Sequence, residues 1–215
     1  MDIGYIAIVI GVILISMTLH EAMHAFVGYW LGDDTAKRQG RLTLNPLKHI
    51  DPFLTIILPV MLAIIGAPIF GGARPVPFNP DRVKGGEWGA ALVAVAGPLT
   101  NLLIAFIVFG IGVLSGVITK DGVLMSLGGQ IIMTGISVNI GFFIFNMLPI
   151  PPLDGSRVIY ALAPEFVRRA MEVVERMGIV VIFVLVMLAG SVIGPILSGA
   201  ILWIWDAFSL IFRLS

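Results

Sequence analysis

The sequence predicts an all-α polytopic membrane protein. It consists of a three-helix core, a re-entrant extended hairpin within that core, and one or two extra C-terminal membrane helices. Three observations carry this. Of 215 residues, 58% are hydrophobic and only 12% charged, where a soluble domain carries about 25% charged residues; the mean hydropathy is +1.04. Several apolar runs approach the roughly twenty residues that span a bilayer. One run ends in prolines at 75, 77 and 80, which enforce an extended backbone.

The first apolar run extends from Ile3 to Leu31 and stops at Gly32-Asp33-Asp34. Asp2 precedes it, with no Lys or Arg and no small-x-small cleavage site, so a retained helix is expected rather than a signal peptide. Residues 32–51 are polar, and Gly40 to Pro46 reads as a short strand ending in a turn. The second run, 52–70, is interrupted by Pro59, Gly66 and Pro68. The third, 88–117, contains Gly97-Pro98 and is followed by a short loop with Lys120 and Asp121. The fourth, 129–148, ends in a proline-broken stretch leading to Asp154-Gly155. Residues 164–177 form an amphipathic surface helix, and the chain is apolar again from Gly178 onward. Residues 1–163 are thus expected as the core domain, and 164–215 as the surface helix with the C-terminal membrane helices.

Net charge is zero, which removes the electrostatic case for nucleic acid. There is no cysteine, so a metal site must use His, Asp or Glu, and the only histidines are His20, His24 and His49. Residues four apart on a helix share a face, with Cβ atoms about 5–6 Å apart. His20 and His24 can therefore grip one ion, and Glu21 can reach a water on it as general base. An ionisable group in an apolar span costs about 2.5–3.5 kcal/mol or more and reads as functional. A catalytic zinc needs a third protein ligand and one open position. Asp154 stands out for this, although a turn aspartate capping the next helix has the same pattern. Asp33, Asp34, Asp51 and His49 are the alternatives, expected to be solvated in the polar loop.

The spacings His20-Glu-x-x-His24, Gly97-Pro-x-x-Asn101 and Asn146-x-x-Pro-x-x-x-Leu-Asp-Gly155 resemble the three signature motifs of the site-2 protease family of intramembrane zinc metalloproteases. The stretches Gly32 to Pro46 and Ala73 to Pro80 are similar to its small prokaryotic members, and the likeness covers roughly residues 10–163. The resemblance implies one Zn2+ held by His20, His24 and Asp154. Glu21 would be the catalytic base, and Asn146 a donor to the transition state. The short loop between the Asn101 and Asp154 segments leaves no room for the PDZ domain of some members, and the apolar tail does not fit a CBS pair. The implied substrates are membrane proteins cut within or near a transmembrane helix, for regulated intramembrane proteolysis or clearance of membrane remnants. An extended substrate would pair with residues 71–78, with Arg74, Val76, Phe78 and Asn101 binding it. Asn101 alternatively makes a helix-packing hydrogen bond. The expected partners are those substrates and the lipid bilayer, with a homo-oligomer allowed. A membrane metal transporter or a non-catalytic scaffold on the same fold are the competing readings.

The ligands also constrain topology. His24 and Asp154 both lie near the C-terminal ends of their segments, so those helices must point the same way. Full crossings by 52–70, 88–117 and 129–148 would put the two on opposite faces. Asp51 to Gly66 as helix descends about 22 Å at about 1.5 Å per residue. Ala67 to Phe78, extended at about 3.3 Å per residue, can climb back. With that hairpin, loops 32–51, 71–87 and 155–177 share one side and hold four, three and four of the thirteen Lys and Arg residues. The positive-inside rule makes that side cytoplasmic, in a prokaryotic cell membrane.

Overall fold

The computed structural model describes residues 3–64, 72–188 and 194–214. In chain order its elements are α1 (Ile3–Trp30), the single turn α2 (Thr35–Arg38), α3 (Leu58–Ile64) and α4 (Gly86–Leu114). The paired strands β1 (Ile118–Thr119) and β2 (Gly122–Val123) follow, then α5 (Leu127–Asn146), α6 (Gly155–Leu162), α7 (Glu165–Met177), α8 (Ile179–Leu188) and α9 (Gly194–Ile211). Among the described residues, α1, α4 and α5 are long and apolar enough to cross a membrane, with mean hydropathies of 2.2, 2.3 and 1.5. Their outer faces expose Ile15, Leu92, Leu103, Ile107 and Ile131, as helices packed in lipid do.

The core helices alternate in direction. His20 and His24 of α1 meet Asn101 and Val93 of α4, so the pair is antiparallel. Asn101 meets Asn139, and Gly112 lies against Ile132, so α4 and α5 are antiparallel too. Hence α1 and α5 run the same way, as the ligand argument requires. Behind them, Ile204 and Phe208 of α9 join Phe109, Ile136 and Ile140 in one buried cluster. Leu185 of α8 packs on Phe145 and Leu153, beside the loop that carries Asp154. The C-terminal apolar region thus holds two described helices, and 189–193 between them lie outside the described residues.

Asp51 opens the second apolar segment by accepting from the amides of Phe53 and Leu54, with Pro52 in the first turn. Pro52–Ile57 is wound wide, as a π-helix, before α3 begins. Pro59, two residues beyond it, has no amide to donate to Thr55 O. The tip of the expected hairpin, residues 65–71, lies outside the described residues. Its two limbs are bonded to each other: Gly72 N donates to Leu54 O (3.0 Å), Thr55 Oγ1 to Gly72 O (2.7 Å) and Arg74 N to His49 O (2.9 Å). Residues 72–79 have no helix or turn. Lys84 N then donates to Leu31 O at 2.8 Å, so the chain re-enters the core beside the point where it left.

One local expectation is corrected. Gly40 to Pro46 is not a strand: Arg41 is buried, and the Asn45 side chain caps the short turn Pro46–Lys48. The short loop with Lys120 and Asp121 is present as expected. It is the bend of the β1–β2 hairpin, which Gly122 at φ 124° permits.

Candidate metal centre

Three acceptor atoms converge where α1, α4 and the start of α6 meet. His20 Nε2 and His24 Nε2 are 3.0 Å apart, and Asp154 Oδ2 lies 3.2 and 3.5 Å from them. A tetrahedral zinc with bonds of about 2.0–2.1 Å separates its ligand atoms by about 3.3–3.4 Å. The observed triangle brackets that edge. Among the described residues this is the one group of three such side chains able to hold a metal ion.

Each donor is built in by its own element. His20 and His24 sit one turn apart on α1, both facing α4. A side chain at Gly97 would collide with them, since its Cβ would fall 2.6 Å from His20 Nε2. Gly97 therefore lets the imidazoles lie against the α4 backbone. Asp154 precedes α6 but makes no side-chain cap bond, so the capping alternative does not describe it. Its carboxylate turns to the histidines instead. Gly155 packs against the Met147 and Leu148 carbonyls, where any Cβ would clash, and this folds the chain back after α5.

The other ring nitrogens fix the tautomers. His24 Nδ1 bonds the Val93 carbonyl at 2.7 Å, and a carbonyl can only accept, so Nδ1 carries the proton. His20 Nδ1 bonds Asn101 Oδ1 at 2.6 Å. Both Nε2 atoms then present lone pairs to each other and to a carboxylate. That arrangement is repulsive unless a cation stands among them. The residues fit zinc: two imidazoles held by outer hydrogen bonds, one carboxylate, and room for a fourth ligand.

Glu21 is buried beside the triangle, and its Oε2 accepts from Val76 N at 2.7 Å. Val76 belongs to the extended limb 72–79 and packs with Ala25 and Ala36. Arg41 secures this limb by donating to the carbonyls of Arg74 and Pro75. It is 6% exposed, and its Nε has no partner among the described residues. Burial, then Arg74, pull its pKa below the ordinary value, and the Glu21 carboxylate opposes them. Further along, the buried Asp33 accepts from Asn79 N at 2.7 Å.

The remaining sequence candidates fall as follows. Asn101 is fully buried, with Oδ1 on His20 and Nδ2 on Asn139. Asn146 donates to Phe142 O, on its own helix, at 3.0 Å. Arg74 is exposed and Phe78 half-buried. Asp33 and His49 are buried rather than solvated, because Asp33 anchors Asn79 and His49 bonds Thr43 O. Asp34 pairs with Arg38 and Arg82, and Asp51 caps its helix. Sequence reasoning missed Asn139, Ser16 and Arg41. A second Asn in the apolar span that ends at Asn146 was the available signal for Asn139.

The chain is 42% identical over 205 residues to "Putative zinc metalloprotease YwhC" of Bacillus subtilis, covering 94% of this chain and 90% of that protein. The chain belongs to peptidase family M50. The pattern of "Peptidase family M50", the site-2 protease family, matches residues 124–190, the stretch that carries Asn146 and Asp154. A further relative is "Putative zinc metalloprotease Rip2" of Mycolicibacterium smegmatis, 31% identical over 192 residues, 85% of this chain and 68% of that protein. "Putative zinc metalloprotease MJ0611" of Methanocaldococcus jannaschii is 42% identical over 104 residues, 48% of this chain and 50% of its own. No solved structure matches the chain.

Proposed function

We propose that this M50 member is an intramembrane zinc metalloprotease of the HExxH type, hydrolysing peptide bonds within or near transmembrane segments of membrane proteins. One observation carries the reading: three lone-pair donors at 3.0–3.5 Å, with Glu21 on the same helical turn, inside an apolar span. The names of the relatives agree with zinc. One zinc per chain, held by His20, His24 and Asp154, would polarise the scissile carbonyl and acidify a water.

The chain's own groups supply the rest. Val76 N–H occupies Glu21 Oε2, so Oε1 is the atom left to take a proton from the attacking water. The same carboxyl then hands that proton to the departing amine. Asn146 is our candidate donor to the oxyanion: its Nδ2 gives one hydrogen to Phe142 O and has a second to offer. Asn101 has both ends engaged, which favours positioning over contact with substrate. Pairing of an unwound substrate with residues 71–78 is limited on the donor side. The amides of Gly72, Arg74 and Val76 are committed, and Pro75 and Pro77 have none. Contacts through Arg74 and Phe78 side chains are the better supported route.

We read 52–78 as the re-entrant hairpin, supported by the bonds between its limbs and by the return of Lys84 to Leu31. The eleven loop cations then face the cytoplasm of a prokaryotic cell membrane, with the metal centre toward that side. The test is Glu21→Gln. It should retain zinc while cleavage of a single-pass reporter falls by about 100-fold or more. Cleavage at the wild-type rate would sink the mechanism.

A further inference from the structure

Four buried polar groups on three helices form one chain of hydrogen bonds ending at His20. Asn139 of α5 donates through Nδ2 to Gly135 O (2.8 Å) and to Ser16 Oγ of α1 (2.9 Å). Asn101 of α4 donates through Nδ2 to Asn139 Oδ1 (2.9 Å), and its Oδ1 faces His20 Nδ1 (2.6 Å). Ser16, His20, Asn101 and Asn139 are all at most 2% exposed.

The direction of this chain is not free. The Gly135 carbonyl can only accept, so the side of Asn139 that faces it must be the NH2 group. Asn139 Oδ1 is thereby turned to Asn101. Were Asn101 flipped, two amide oxygens would meet at about hydrogen-bond distance in a buried site, at a cost of about 1–3 kcal/mol. Asn101 therefore offers its oxygen to His20, and His20 Nδ1 must hold the proton. Nε2 is left as a bare lone pair at the metal triangle. His24 needs no such relay, because Val93 O is itself the carbonyl.

We infer that Asn139, although it touches neither metal ligand, is a positioning residue. It transmits the polarity of a backbone carbonyl on α5 through Asn101, and so selects the metal-binding tautomer of His20. The inference rests on the zinc reading of the site. Without Asn139, Asn101 can rotate, His20 can carry its proton on Nε2, and metal must then compete with that proton.

The test uses the purified full chain in detergent micelles. With only three histidines, 15N labelling of histidine resolves each ring. In zinc-free wild type at alkaline pH, the His20 ring should be protonated on Nδ1. Finding it on Nε2 overturns the inference without any variant. Asn139→Leu should give mixed His20 tautomers and zinc binding about 10- to 100-fold weaker by chelator competition. Adding Asn101→Asp to that variant should restore both, because a carboxylate accepts from Nδ1–H whatever lies behind it. A merely structural role for Asn139 predicts no such rescue. Unchanged tautomer and affinity in Asn139→Leu, or no rescue in the double variant, defeats the relay. Absence of zinc binding to wild type would instead defeat the metal reading itself.

Discussion

At the scale of the residue, the centre depends as much on an absent side chain as on the ligands. Gly97 gives the imidazoles their resting surface, and a methyl group there would overlap both rings. Gly97→Ala should therefore weaken zinc by at least about 10-fold, comparable to loss of an outer hydrogen bond, while α4 itself persists because Ala is the better helix former. Chelator competition and circular dichroism together check both halves. Asp154→Asn keeps the shape but removes the charge that opposes two imidazole lone pairs. It should lose zinc, read by metal analysis after dialysis, and no cleavage should remain. His20, Glu21 and His24 were legible in the sequence because ionisable groups in an apolar run are conspicuous, whereas Asp154 lies beyond such a run and was singled out by the family resemblance. Asn139 was not legible, because an uncharged amide in an apolar helix reads as tolerated packing until its partners are seen.

At the scale of the element, the limb 72–79 is held from four directions: His49 and Leu54, Arg41, Glu21, and Asp33. Arg41 is its main clamp, and hydrogen bonds to charged groups contribute about 1.5–3 kcal/mol. Arg41→Leu should loosen the limb and lower kcat while leaving zinc affinity within about twofold. Steady-state kinetics with parallel chelator competition separates the two. Asp33 adds a dependence on acidity. Burial opposes its ionisation, but the Thr35 hydroxyl and the amides of Asn79 and Thr35 prevail and hold its pKa below the ordinary 3.8. Its stabilisation is thus complete above that value and fades as pH falls through the lower folded pKa. Protection of the Asn79 amide, corrected for the intrinsic exchange rate, should fall as pH drops below 3.8 in wild type, and Asp33→Asn should remove that step. The extended character of this limb was legible from its prolines. The misread strand at Gly40 to Pro46 followed from alternating apolar residues, and the bonds that settle that segment come from Arg41 and Asn45, which alternation does not report.

At the scale of the whole molecule, the C-terminal region was left at one or two helices, while the three core helices and their directions followed from hydropathy and from the demand that His24 and Asp154 meet. The packing of α9 on α4 and α5 did not, because an apolar helix in lipid carries no pattern naming its neighbour. The absence of native cysteine makes topology directly testable. Single cysteines at Lys37 and Arg74 should label from one face of oriented vesicles, and one at Lys120 from the other. Labelling of Lys37 and Arg74 from opposite faces would refute the hairpin. The dispersal of the triangle along the chain has a consequence in time. Asp154 is made 154 − 24 = 130 residues after His24, an interval of about 7–26 s at about 5–20 residues per second. Through that interval the newborn chain owns two imidazoles, and α5 with its Asn139 has yet to be inserted. On the proposed zinc reading, metal capture is therefore a late event in the life of the polypeptide, and hydrolysis of neighbouring membrane proteins would begin only once its own helices have closed around the site.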